Sequence, residues 1–309
     1  SHLMNYTIMI KGDTMEKVHI ICNPNAGRQI IQKNVHSLAT FLEEHDRKVT
    51  LSYTEKKFQA EDIAFNSCNK EEELIIAVGG DGTVNEVING IMRSTHRPKL
   101  AIYPAGTVND FGNYLKIPRS FTDFHNMIIR NRTMKIDIGY TGNRYFFNVA
   151  AAGLLPEVAH TVSSEAKTVL GKFAYYIKGL REFPRLIFEP IPIRFIHHGK
   201  SEEKEILFFI VANSPSVGGF KNVAPEAKVD DGYLDLLIVE NKDFFEVASI
   251  FLKAFTGNHI NHPGLRYLQV EEFIIESDKK IDLDIDGELG GQLPASFSVK
   301  KQALEMIVP

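Results

Sequence analysis

Leu74-Ile75-Ile76-Ala77-Val78-Gly79-Gly80-Asp81-Gly82-Thr83-Val84-Asn85-Glu86 is the stretch on which the reading of this chain turns. Residues 74–78 are apolar throughout, which predicts a strand covered on both faces. Behind the glycines, apolar residues recur at Val84, Val87, Ile88, Ile91 and Met92, the stripe of a helix. Upstream, Val18 to Cys22 ends in Asn23-Pro24-Asn25-Ala26-Gly27. A helical pattern follows, with Ile30, Ile31, Val35, Leu38, Phe41 and Leu42 near the 3.6-residue period. Val49 to Tyr53 alternates like a strand and stops near Thr54, and Leu100 to Tyr103 is closed by Pro104. Strands alternating with helices predict a mostly parallel sheet with helices on both faces.

After about residue 135 the pattern changes. Short strand-like runs dominate: Tyr145 to Val149, Ile191 to Ile196, Ile206 to Ala212, Leu234 to Val239, Phe273 to Glu276 and Ile281 to Ile285. In the last, Ile281, Leu283 and Ile285 alternate with Asp282, Asp284 and Asp286, which reads as a strand with one wet face. Helices are expected at about 163–182 and 243–256. The fold class is therefore α/β: a Rossmann-like three-layer first domain with a mostly antiparallel β-sandwich second domain. The expected division is 1–15 as scar and extension, 16–138 for the α/β domain and 139–309 for the β-rich domain. Pattern leaves open whether the last strand, Leu304 to Val308, returns to the first.

Composition agrees with two folded domains. The chain has 309 residues, 44% hydrophobic and 24% charged, which excludes disordered, collagenous and disulfide-scaffold classes. A net charge of −4 argues against a nucleic-acid partner. The longest uncharged stretch, Ile206 to Phe220, contains Pro215 and two glycines and falls short of the roughly 20 apolar residues of a membrane span. Cys22 and Cys68 lie in or near apolar segments and read as buried thiols of a cytoplasmic protein. Ser1-His2-Leu3-Met4 reads as an expression scar.

Several segments carry candidate chemistry. The Gly79–Gly82 turn delivers a strand to a helix N-terminus, whose free N–H groups suit an anion. A plain tight turn capped by Asp81 or Thr83 explains the same residues. No Gly-Lys-Ser/Thr follows, so this is not a Walker loop, and Asn85 stands where a third dinucleotide-loop glycine would be. Asn23–Gly27 and Pro104-Ala105-Gly106-Thr107-Val108-Asn109-Asp110-Phe111-Gly112 also end strands. Three such loops would converge on the crevice where open α/β sheets bind ligands. Asp230-Asp231-Gly232-Tyr233-Leu234-Asp235 reads as an oxygen-ligand site for Mg²⁺ or a hydrated turn. Asp286-Gly287-Glu288 either aims a carboxylate into a cleft, where it could take a hydroxyl proton, or is a solvated turn. His259-Ile260-Asn261-His262 reads as loop surface, and His197-His198 before Gly199 as a turn. Phe244, Val247, Ala248, Phe251 and Phe255 form a core stripe or a lipid contact. Lys167, Lys172, Lys178, Arg181 and Arg185 form a solvated helix face or a membrane contact.

Five segments, 23–27, 79–86, 104–111, 231–235 and 286–288, occur in the order and spacing of the diacylglycerol kinase catalytic-domain family, and the chain resembles its soluble bacterial members from about residue 16 to the end. Sphingosine and ceramide kinases share the core pattern, and NAD kinases share the Gly-Gly-Asp-Gly-Thr loop. The resemblance implies that Asn23, Pro24, Asn25, Ala26, Gly27, Thr54, Gly80, Asp81, Gly82, Thr83, Val84, Asn85, Glu86 and Thr107 bind ATP. It implies that Asp81, Asp110 and Asp231 join a Mg²⁺ and water network, with the metal on the Asp231 side chain and the carbonyls of Lys228 and Tyr233. Glu288, with Asp81 beside it, would be the catalytic base. One departure is Ala26, where a serine is common. The implied reaction is ATP-dependent phosphorylation of diacylglycerol to phosphatidic acid during transient contact of a cytoplasmic, peripheral protein with a membrane, and the resemblance admits a homodimer. The alternatives are another lipid acceptor (sphingoid base, ceramide or phosphatidylglycerol), NAD, or non-catalytic lipid binding. The last predicts loss of an acidic residue, and all are present.

Overall fold

The computed structural model describes residues 15–25, 30–106, 109–153, 189–217, 222–242, 244–254 and 257–309, with the backbone alone at 30–33, 244, 245, 248, 251 and 252. The first domain runs β1 (Glu16–Cys22), α1 (Ile30–Glu43), β2 (Arg47–Tyr53), α2 (Gln59–Asn69), β3 (Leu74–Gly79), α3 (Asp81–Met92), β4 (Lys99–Pro104), α4 (Asp110–Tyr114) and α5 (Phe121–Arg130). Its strands are parallel, in the order β2-β1-β3-β4. Every residue of β3 is buried, and alternation divides its side chains between two cores. Leu74, Ile76 and Val78 join Val18 and Ile20 against Leu38 and Leu42 of α1 and Phe124 of α5. Ile75 and Ala77 join Ile21 against Ala64 of α2 and Val84, Val87 and Ile88 of α3. Each such Ile, Leu or Val contributes roughly 1.5–3 kcal/mol by leaving water. The result is the expected three-layer arrangement.

From β1 the chain runs outward to β2 and returns to β3 on the other side of β1. The loops leaving β1 and β3 therefore diverge, and the space between them is the crevice of an open α/β sheet. The backbone ties the two loop mouths together: Asn23 N–H donates to the Val78 carbonyl at 3.0 Å, and Ala105 N–H to the Gly79 carbonyl at 2.9 Å.

The second part comprises β5 (Thr133–Tyr140), β6 (Tyr145–Phe146), β7 (Val149–Gly153), β8 (Ile191–His197), β9 (Lys200–Ala212), β10 (Leu234–Glu240), α6 (Phe244–Ala254), β11 (Leu265–Val270), β12 (Glu272–Glu276), β13 (Asp282–Ile285), β14 (Glu288–Gln292) and β15 (Ala295–Ile307). The strands among these pair antiparallel with one another. The far half of β9 lies between β7 and β10, and its near half forms a hairpin with β8. Phe195, Phe209, Phe273 and Phe297 fill the sandwich interior, with Phe273 and Phe297 stacked at 4.8 Å.

The question left open by pattern has a structural answer. β15 begins on β12, runs along β5 and reaches β4 of the first domain at Met306 opposite Leu100. Leu304 to Ile307 is the end of this thirteen-residue strand rather than a strand of its own.

Three local expectations are corrected. Residues 145–149 are two strands, because the N–H groups of Phe147, Asn148 and Val149 turn onto the Asp286 carboxylate. The aspartate face of β13 is not wet beyond Asp282: Asp284 and Asp286 are buried. His259 and His262 are buried too, not surface groups; the His259 ring is 2.7 Å from the Val223 carbonyl, and Gly264 N–H donates to the His262 ring. Cys22 and Cys68 are buried free thiols, and burial pushes the Cys22 thiol up to about 11. The helix expected near 163–182, its basic residues, Phe255, Ala26, Gly27 and Thr107 lie outside the described residues. Among the described residues no helix is long and apolar enough to cross a membrane.

Candidate active site

The glycine turn opens α3 with an extended Gly80 and the Asp81 carboxylate in the first helical turn. Backbone lies directly on backbone here: a Cβ on Gly106 would sit 2.6 Å from the Gly80 Cα, so the turn after β4 admits no side chain at Gly106. Asn109, at a left-handed φ of 50°, then presents its own N–H and that of Asp110 to the Asp81 carboxylate. Burial, followed by the Asp110 and Asp286 carboxylates, raises Asp81 to about 7. These crowded acids suit a cation or a phosphate-bound metal, which would relieve their repulsion.

Thr83 and Asn23 link the first two loops, with the Asn23 amide donating to the Thr83 hydroxyl at 3.2 Å. Asn23 also accepts the Asn25 N–H at 3.0 Å, holding the turn that contains Pro24. Thr54, at the end of β2, is buried and donates its N–H to the Cys22 carbonyl.

The remaining helix residues have different work. Val84 is core, and Asn85 points into the second domain. The Asn85 amide donates to Asp286 at 2.7 Å and accepts from Arg144 at 3.0 Å. Glu86 accepts the N–H groups of Phe58 and Ala60 at 2.9 and 3.1 Å, so it satisfies the first turn of α2. Its carboxyl is raised by burial and lowered by those two donors.

The second domain brings Glu288. Asp286, at a left-handed φ of 49°, and Gly287 form the turn between β13 and β14. Asp286 accepts N–H groups from Phe147, Asn148 and Val149 at 2.8–3.0 Å, besides the Asn85 amide. Burial pushes it up to about 6 against the pull of those donors. Held in this way, the turn places Glu288 over the glycine loop: a Cβ on Gly82 would lie 3.7 Å from a Glu288 carboxylate oxygen.

One cleft of about 290 Å³ is lined by Asn23, Asn25, Thr54, Gly82, Thr83 and Glu288, with Glu55, Lys56, Lys57 and Glu86. It is not the largest: a 390 Å³ depression lined by Arg194, Glu203, Glu276 and neighbours lies on the second domain and contains none of the sequence-predicted site residues.

The Asp231 turn lies apart from that cleft's lining. The Asp231 carboxylate accepts the Tyr233 N–H at 3.0 Å; burial raises it, as do Asp137 and Asp230, against Lys228. Among the described residues no three His, Cys, Asp or Glu side chains form a metal group. A cation here would rest on one carboxylate and main-chain carbonyls, an all-oxygen set that fits Mg²⁺ completed by water.

Asp137 is the residue that sequence reading missed. It is fully buried on β5 and accepts the N–H groups of Gly232 and Gln302, both at 2.6 Å, while its own N–H donates to the Val229 carbonyl at 2.6 Å. It therefore fastens the Asp231 turn to β5 and β15. A charged residue between Ile136 and Ile138 was the available signal, since a buried carboxylate survives only where donors meet it. Lys57, paired with Glu288, was also missed, because 231 positions separate the partners.

Comparison with known proteins extends the likeness over the whole chain. Residues 17–141 match the diacylglycerol kinase catalytic domain, and residues 148–308 the YegS C-terminal NAD kinase beta sandwich-like domain. A diacylglycerol kinase of Staphylococcus carnosus is 36% identical over 294 residues, 95% of each chain. One from Staphylococcus haemolyticus is 38% identical over 290 residues, 94% of this chain and 87% of the relative. A crystal structure of a Bacillus anthracis diacylglycerol kinase superposes with a TM-score of 0.79 at 26% identity, covering 96% of this chain and 98% of that one. Fold, cleft and likeness define a two-domain phosphotransferase of the lipid-kinase type. The chain belongs to the diacylglycerol kinase family.

Proposed function

We propose that the enzyme transfers the γ-phosphate of ATP to the hydroxyl of diacylglycerol, giving phosphatidic acid and ADP, in a Mg²⁺-dependent reaction at a membrane surface. The observation that carries this reading is the single cleft in which the strand-end turns of the first domain meet Glu288 of the second. Phosphoryl transfer asks the protein chiefly for positioning and charge neutralisation. The N–H groups of the turns at Asn23 and Gly80–Thr83 would hold the phosphates, with Thr54 and Thr107 completing the nucleotide contacts. Glu288 would take the proton of the acceptor hydroxyl as its oxygen bonds to the γ-phosphorus and the bond to the β–γ bridging oxygen breaks. Mg²⁺ bound at Asp231 with the Lys228 and Tyr233 carbonyls would supply positive charge to the network of Asp81 and Asp110.

The second-domain match to an NAD kinase-like sandwich supports one further reading, with NAD as acceptor. Incubation with γ-labelled ATP, Mg²⁺ and a panel of dispersed diacylglycerol, sphingoid base, ceramide, phosphatidylglycerol and NAD separates these. Labelled phosphatidic acid is expected. Label on another acceptor, with none on diacylglycerol, rejects the substrate assignment.

A further inference from the structure

Glu288 already has a partner within the cleft. Its carboxylate pairs with the ammonium of Lys57, which reaches across from the loop after β2. Lys57 lines the cleft together with Thr54, Gly82 and Thr83, and its side chain is 55% exposed against 34% for Glu288. An ion pair so open to water holds weakly and exchanges readily.

The backbone beside Lys57 is not free to drift. Phe58 takes a left-handed φ of 65°, and its N–H and that of Ala60 are held by Glu86 of α3. The lysine is thus mounted on the helix that begins at the glycine turn, with only its side chain free to swing. Three carboxylates, Glu55, Glu86 and Glu288, line this cleft, and besides Lys57 one other lysine, Lys56, stands against them. With three carboxylates against Lys56, a triphosphate entering it meets an excess of like charge unless Lys57 turns toward it.

We propose that Lys57 changes partners: it neutralises Glu288 in the empty enzyme and moves onto the terminal phosphates when ATP binds, freeing the base as the donor arrives. Lys57 is then a nucleotide contact as well as a guard on Glu288. A strongly hydrated point charge on a flexible stem suits this exchange better than a planar guanidinium. The inference rests on the ATP reading of the cleft, but not on which acceptor is phosphorylated.

Calorimetric titration without lipid tests it, using AMP and a non-hydrolysable ATP analogue with Mg²⁺. The proteins are wild type, Lys57→Met, Glu288→Gln and the double variant. Lys17→Met, at the opposite end of β1, controls for net charge. Lys57→Met is expected to weaken the analogue about tenfold, the loss of one charge-assisted hydrogen bond, while AMP changes less than about twofold. The loss should be at least as large in the Glu288→Gln background, where no competing carboxylate has to be left behind. Equal losses for AMP and analogue overturn the exchange. So does a loss that vanishes beside Glu288→Gln, for Lys57 would then serve Glu288 alone. Absence of analogue binding by the wild type overturns the exchange and the ATP reading together. Failure with diacylglycerol alone, with these titrations as expected, rejects only the acceptor.

Discussion

The turn after β3 carries Gly80-Asp81-Gly82, and the turn after β13 carries Ile285-Asp286-Gly287. Both end a strand at the cleft, yet their aspartates meet different surroundings. Asp81 takes two backbone N–H groups and faces the carboxylates of Asp110 and Asp286. Asp286 is enclosed by three N–H groups of the chain entering β7 and by the Asn85 amide from the other domain. One is a charge still short of a counter-charge; the other is consumed in holding the domains together and fixing the turn before Glu288. The same dipeptide thus serves binding in one place and framework in the other, and the donors that reach each carboxylate make the difference.

The comparison predicts three losses of descending size. Glu288→Gln should lower turnover about 10²–10⁴-fold, as for loss of a general base, with the melting temperature nearly unchanged. Near-normal turnover removes Glu288 from the chemistry. Asp286→Ala leaves its buried donors without an acceptor and should cost about 3 kcal/mol or more in urea unfolding. A cost equal to that of a surface substitution would make Asp286 no more than a turn residue. Asn85→Ala loses its bond to Asp286 and the contacts to Tyr145 and Arg144, and about 1–2 kcal/mol is expected.

Asp81→Asn should act on stability with the opposite sign. The folded-state value of about 7 lies above the ordinary 3.8, so the native protein holds the extra proton between those values and loses stability as pH rises through that window. The variant should therefore melt above wild type at pH 8, with the gap closing toward pH 4, while its activity falls. Thermal scans at both pH values check this, and a variant that melts below wild type at pH 8 contradicts it.

Much of the first domain was legible because its strands are continuously apolar and its turns are marked by Gly and Pro. Leu74–Gly79 and the stripe from Val84 to Met92 admit little else. The second domain was less so. Asp282, Asp284 and Asp286 alternate as solvated residues do, and nothing local reveals that two of them are buried, Asp286 under N–H groups 137–139 positions away. Likewise His259 lies in a polar loop by composition but packs under Val223. The motif residues of the cleft were visible one at a time. Asp137 and Lys57 were not, since their roles depend on partners that only tertiary folding supplies.

Backbone hydrogen exchange with and without the non-hydrolysable ATP analogue tests the location of the site most directly. Slowed exchange is expected together at Asn23–Asn25, Thr54–Lys57 and Gly80–Val84 in the first domain and around Gly287 and Glu288 in the second. Protection confined to the larger depression around Arg194, Glu203 and Glu276, with those turns unchanged, would contradict the account.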